Sequence, residues 1–153
     1  MRDALGGTVV ITLIAIFTVA VMSYMAFNVN YTKAFRMKDY IITVYDERNG
    51  DCYGVGECED LINNYAKQIG YNPRSFDCPS GSQDSRGIYC ITKKVQTLEE
   101  SDSEYNDIET KVYYSIQTKI DIRMPIIDNW LSTKVFMVTG NTKAYDEKVV
   151  KDD

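Results

Sequence analysis

The side chains best suited to chemistry by type and spacing are four cysteines, Cys52, Cys58, Cys78 and Cys90, separated by 5, 19 and 11 intervening residues. Two chemistries compete for them. A four-thiolate zinc site draws its ligands from paired Cys-x-x-Cys knuckles, which these spacings do not provide. An even number of cysteines in a small exported domain reads instead as two disulfides. Three pairings are possible; the expected one is Cys52–Cys58 with Cys78–Cys90, because each closes a short local loop.

Little else in the chain points to catalysis. There is no histidine among the 153 residues, which removes the commonest general base and the commonest metal ligand. No glycine-rich phosphate loop occurs, and no thiol has a histidine partner. The acids Glu99, Glu100, Asp102, Glu104, Asp107 and Glu109 lack the alternating Asp order and glycine of a calcium loop, so they read as solvated hairpin residues. Seventeen Lys and Arg stand against 22 Asp and Glu, a net charge of -5, which argues against binding a phosphate backbone. The expectation is a non-enzyme with no metal, no cofactor and no nucleic-acid partner. Asn30-Tyr31-Thr32 matches a glycan acceptor pattern but falls on a helix at a membrane boundary, where the match is read as chance.

The elements that carry the cysteines begin with an uncharged run from Ala4 to Thr32, whose apolar core is residues 5–27. About 20 apolar residues cross the hydrocarbon layer as a helix, and Tyr24 and Tyr31 stand where an aromatic belt forms. A cleaved signal peptide is the competing reading. Its basic start would be Arg2, offset by Asp3, and its small-residue site at Ser23 and Ala26 has the large neighbours Met25 and Phe27. Retention of the segment is therefore expected. Orientation carries a conflict. Lys33, Arg36 and Lys38 lie just past the apolar run, and the positive-inside rule would place the C-terminal domain in the cytoplasm, whereas the cysteines place it outside. The cysteines are given the greater weight, since the basic residues fall on a continuing helix and not on a short loop.

Past Phe27 the run becomes amphipathic, with Met37, Ile41, Val44 and Tyr45 on one stripe. No Pro or Gly interrupts residues 8–48, and Asn49-Gly50 is a stop signal. One helix from about residue 4 to 48 is expected, with residues 1–28 as its hydrophobic half and 29–49 as its amphipathic continuation. Ala4, Thr8, Thr12 and Ala15 form an imperfect small-residue stripe that leads toward Ser23 and Ala26; such stripes let helix backbones approach in lipid, and the competing reading is that Thr and Ala are simply common in membrane helices. Residues 50–146 read as a disulfide-bonded extracytoplasmic α+β head, and 147–153 as a charged loose tail.

Within the head, 58–69 reads as a short helix with Leu61, Ile62, Tyr65 and Ile69 on one face, closed by Gly70. Residues 71–86 read as loop, with Pro73, Pro79 and Gly81 as breakers. Strands are expected at 87–97, 109–124 and 132–139, with a hairpin loop at 98–107. The middle strand would direct Val112, Tyr114, Ile116, Ile120 and Ile122 inward, and Lys111, Ser115, Gln117, Lys119, Asp121 and Arg123 outward. Pro125 ends that strand, Trp130 and Leu131 begin the next segment, and Gly140-Asn141 is a turn or bulge. The fold class is α+β: a long N-terminal helix on a small antiparallel sheet of three or four strands.

This order, a helix half apolar and half amphipathic and then a small disulfide-bonded sheet, resembles the type IV pilins and pseudopilins. The run IQTKIDIRMPIIDNWLSTKVFMVTGNTKAY, residues 116–145, resembles the ending of pilin-like proteins of the tight-adherence class, particularly their minor members. The resemblance implies a subunit that waits in membrane lipid, is extracted by pilus assembly machinery, and packs against copies of itself in a helical surface filament. Residues 4–27 would be the assembly surface, with Ala4, Thr8, Thr12 and Ala15 at the close approach and Ile11, Ile14, Phe17 and Val21 as apolar contacts. The family carries a leader cut after glycine and an acid near the new terminus. Gly6-Gly7 offers such a cut here, but the acid's position is then Thr12, and no residue of this chain takes its role. The alternative is a monomeric, single-pass anchored binding or sensory domain.

Overall fold

The computed structural model describes residues 2–52, 56–84, 87–98, 109–121 and 136–146, and among these the side chains of all but 2–5, 84, 97, 98 and 109. Of the hairpin loop expected at 98–107, Leu98 ends a strand and the rest lies outside the described residues, as do Pro125, Trp130 and Leu131, the start of the strand expected at 132, the inward Ile122 and outward Arg123, and the tail 147–153.

Helix α1 runs unbroken from Arg2 to Glu47, 46 residues, which is roughly 70 Å at 1.5 Å per residue. It ends where the sequence changes to Asn49-Gly50. Asn49 adopts φ 50° and Gly50 φ 83°, and the Gly50 amide donates to the Tyr45 carbonyl at 2.9 Å. That is a Schellman cap, which needs a left-handed residue just past the last turn. Helix α2, Gly56–Gln68, closes the same way on Gly70, φ 63°, with the Tyr71 amide on the Ala66 carbonyl at 2.8 Å. Glu57 and Glu59 in its first turn and Lys67 in its last complement the helix dipole. Cys58, Ile62 and Ala66 are its buried residues. They recur every four residues and so share one face. Leu61, expected on that face, is 41% exposed; the buried stripe is set by the cysteine, a residue the apolar periodicity had not counted.

Among the described residues five strands form one antiparallel sheet: β1 Ser82–Asp84, β2 Tyr89–Leu98, β3 Glu109–Ile120, β4 Phe136–Asn141 and β5 Tyr145–Asp146. The order is β1-β2-β3-β4, with β5 also on β3. The sheet thus has two strands where none was expected: β1 within the loop 71–86 and β5 just before the tail. Gly140 and Asn141 are neither turn nor bulge but paired strand residues, opposite Ile116 and Ser115. The ladder breaks just after them, and Thr142 repairs it. Its amide donates to the Tyr114 carbonyl and its Oγ1 accepts from the Tyr114 amide, each at 3.0 Å.

Alternate residues of β3, Val112, Tyr114, Ile116, Thr118 and Ile120, are buried. They share the core with Ala34, Met37, Ile41, Val44 and Tyr45 of α1. Thr118 Oγ1 donates to the Ala34 carbonyl at 3.0 Å, and the Tyr45 and Tyr114 rings meet at 5.0 Å. Gly140 permits the approach of α1 to β4: a Cβ there would stand 2.8 Å from Lys38 Cδ and 2.9 Å from Ile42 Cδ1. Lys38, one of the basic residues of the amphipathic half, is therefore buried along its stem, with its Nζ over the Phe35 ring at 3.9 Å and beside Asp39 at 2.9 Å. Long cationic side chains bury their stems in this way.

The second face of β3 is not solvated as expected: Ser115, Lys119 and Asp121 are buried. The segment 71–79 supplies partners for two of them. Arg74 pairs with Asp121 at 2.9 Å, Lys119 Nζ donates to the Arg74 carbonyl at 3.3 Å, and Phe76 is itself buried. The Tyr71 hydroxyl donates to the Lys119 carbonyl at 2.8 Å and accepts from its amide at 3.0 Å, standing in for a strand partner where β2 has ended. Burial, ahead of the Lys119 hydrogen bond that opposes it, holds the Tyr71 hydroxyl above the usual tyrosine range.

Candidate functional site

The disulfides are Cys52–Cys58 and Cys78–Cys90, with Cα separations of 5.7 and 5.6 Å, and no cysteine is free. Each ties a covering element to the frame. Cys52–Cys58 joins the end of α1 to the first turn of α2, with both sulfurs in the core. Cys78–Cys90 holds the segment 71–79 to β2, since Cys90 pairs with Gln117 and so lies off the α1 face. Among the described residues no group of three or more Cys, Asp or Glu is placed to hold a metal ion. The acids from Glu99 to Asp107 lie outside the described residues.

The other half of α1 is a different kind of surface. Ile11 is 68% exposed, Ile14 60%, Phe17 70% and Val21 37%, and Thr8, Thr12 and Ala15 are exposed as well. Ala4 lies in the helix, and its side chain is not among those described. Gly6–Glu47 is long and apolar enough to cross a membrane, and none of its most apolar 18-residue window is buried. Large apolar patches left open on a folded protein mark contact with a membrane or a partner. The disulfides belong to an oxidising compartment, as expected of an extracytoplasmic domain.

Polar groups in this half are satisfied within the helix. Thr12 Oγ1 donates to the Thr8 carbonyl and Thr18 Oγ1 to the Ile14 carbonyl, both at 2.8 Å. A hydroxyl bonded four residues back can enter hydrocarbon without an unpaired donor. The same pattern continues outside it: Asn30 Nδ2 donates to the Ala26 carbonyl at 3.0 Å and Thr32 Oγ1 to the Asn28 carbonyl at 2.8 Å, so the side chains of the glycan-like triplet are engaged in the helix itself.

At 100° per residue, Thr8, Thr12 and Ala15 fall on the side of α1 that Met37, Ile41 and Val44 turn to the sheet, whereas Phe17 and Val21 lie on other faces. Ser23, Ala26 and Phe27 are half-buried, and Phe27 packs against the head core. A row of rings across the junction went unmarked by the apolar pattern. Phe27, Tyr31 and Phe35 stack at successive 6.2 Å intervals, and Lys38 caps the row. Their i, i+4 spacing was the available signal.

The distal end of the head holds a groove of about 680 Å³ whose lining includes Arg48, Asp51, Lys93, Tyr114, Lys143 and Tyr145. Tyr145 donates to the Asp46 carboxylate there. Burial first, and that bond second, raise its hydroxyl above the tyrosine range. A second groove of about 530 Å³ lies at the opposite end, between α1 and the last residues of α2.

No protein-family model matches the chain, and comparisons with curated proteins and with solved structures give no match.

Proposed function

We propose that this protein is a structural subunit, major or minor, of an extracellular filament of the type IV pilus kind, assembled through its N-terminal apolar helix. One observation carries the reading: α1 continues without a break from an open apolar half into a half buried in the head. A simple tether has no need of that rigidity. A subunit whose exposed helix must leave lipid and enter a bundle of copies of itself does, because the head then fixes the direction of every helix. In the bilayer residues 6–27 span about 33 Å, close to the hydrocarbon thickness. In the filament the same side chains exchange lipid for neighbouring helices. The partners are copies of the chain, membrane lipid before assembly, and the machinery that extracts it.

Electron microscopy of sheared surface material, with immunodetection of the head, tests the reading. Fibres that carry the protein are expected. Protein found only in the membrane fraction, with none in sheared fibres, defeats it. The 680 Å³ distal groove favours a second reading, an anchored monomeric domain that binds a polar ligand. That protein would remain one species with a lipid or detergent belt.

A further inference from the structure

Lys33, Arg36 and Lys38 lie past the apolar run on the same side as the disulfides, against the usual distribution of basic residues, and the fold separates their roles. Lys38 is buried against Phe35 and Asp39. Lys33 Nζ donates to the Gly70 carbonyl at 3.1 Å, which draws the end of α2 onto α1 and uses one of three ammonium donors. Arg36 is exposed and has neither an ion pair nor a hydrogen bond among the described residues. Lys33 and Arg36 line one groove of about 530 Å³ with Asn28, Val29, Thr32, Gln68 and Ile69. Val29 and Ile69 supply apolar contacts, and Thr32 and Gln68 supply polar ones.

The groove's height along α1 identifies its ligand. When residues 6–27 fill the hydrocarbon, Asn28 stands at its boundary. Lys33 is then about 8 Å and Arg36 about 12 Å beyond it along the helix axis, at the level of the headgroups. We propose that this groove binds the phosphate headgroup of an anionic phospholipid in the leaflet the head faces, with Lys33 and Arg36 on the phosphate and Val29 against the upper acyl chain. The inference rests on the membrane-resident stage of the function proposed above. It gives the basic residues an outer partner, so they need not orient the chain as positive-inside residues would.

The full chain, reconstituted into phosphatidylcholine vesicles with a minor share of phosphatidylglycerol, is re-extracted in a mild neutral detergent, and retained lipid is quantified by class. Wild type is expected to hold phosphatidylglycerol enriched above its share of the bilayer, by about fivefold for each cation that contributes. Arg36→Lys should keep the enrichment, and Lys33→Gln with Arg36→Gln should return it to the bilayer share while the protein still floats with vesicles. Wild type at the bilayer share, or an undiminished double variant, overturns the proposal. So does loss of the enrichment to competing inorganic phosphate alone, which would make the groove a free-anion site. Failure of the wild type to float removes the membrane stage itself. Intact fibres from a chain with no lipid preference sink this inference and leave the filament standing.

Discussion

Ile14 and Ile41 lie on one continuous helix, yet Ile14 is 60% exposed and Ile41 is fully buried. The two halves of α1 use the same residue types under opposite conditions. The distal half has found its apolar partner within the chain, in β3 and β4. The proximal half has none among the described residues, so it is left to lipid or to another molecule. Both halves belong to one unbroken helix; what differs is the environment that receives the side chains.

Paired truncations test that contrast most strongly. Ile41→Ala should lower head stability by about 2–5 kcal/mol, the range for a buried aliphatic cut to alanine. Ile14→Ala should leave the urea midpoint of the head unchanged. Equal losses at the two sites would end the distinction. Ile14→Asp acts in the other direction: a charge at mid-bilayer costs about 3 kcal/mol, so membrane insertion and fibre formation should fail while the disulfides still form. Normal flotation and normal fibres from that variant would show that the apolar half is not the working surface.

The disulfides sharpen the comparison from the head's side. Replacing Cys78 and Cys90 together by serine should cost about 2–3 kcal/mol, by the loop-closure estimate for so short a ring, and should free the segment over Lys119 and Asp121. Hydrogen exchange in 71–79 should rise, with α1 from 6 to 27 unaffected. A smaller effect is expected from Thr118→Val, which removes the bond to the Ala34 carbonyl, at about 1 kcal/mol.

Alkaline pH gives the subtlest readout. The hydroxyls of Tyr71 and Tyr145 are raised above the ordinary value of 10.0. A raised folded-state value means their contribution is complete below pH 10 and declines as pH rises beyond it, when the unfolded chain ionises and the folded one resists. Thermal melts of the detergent-solubilised chain should be flat with respect to these groups from pH 7 to about 9 and fall above about 10. Tyr71→Phe should flatten that fall, since Tyr71 is the more deeply buried of the two.

Much of this fold was legible without coordinates. The long helix could be read because no Pro or Gly interrupts residues 8–48 before Asn49-Gly50, and the middle strand because its residues alternate. The two short-loop cysteine pairings obey the same logic of proximity along the chain. Segments β1 and β5 could not be read, since three and two residues carry no period. Neither could the cover on the second face of β3. Lys119 and Asp121 look like solvent residues until Arg74, distant in sequence, supplies their partners.

The sequence by itself determined the long helix and the point where it stops, the alternation of β3, and an apolar run long enough to cross a membrane. All of these depend on residues within a few turns of one another. The tertiary structure decided which apolar residues are covered. It buried Lys38 against Gly140, left Leu61 in solvent, and set Lys33 and Arg36 around one groove at the foot of the head. Burial depends on what arrives from elsewhere in the chain, and periodicity within one element does not record it. The open half of α1 is where both sources of information meet: its composition calls for an apolar environment, and the fold supplies none within the described residues.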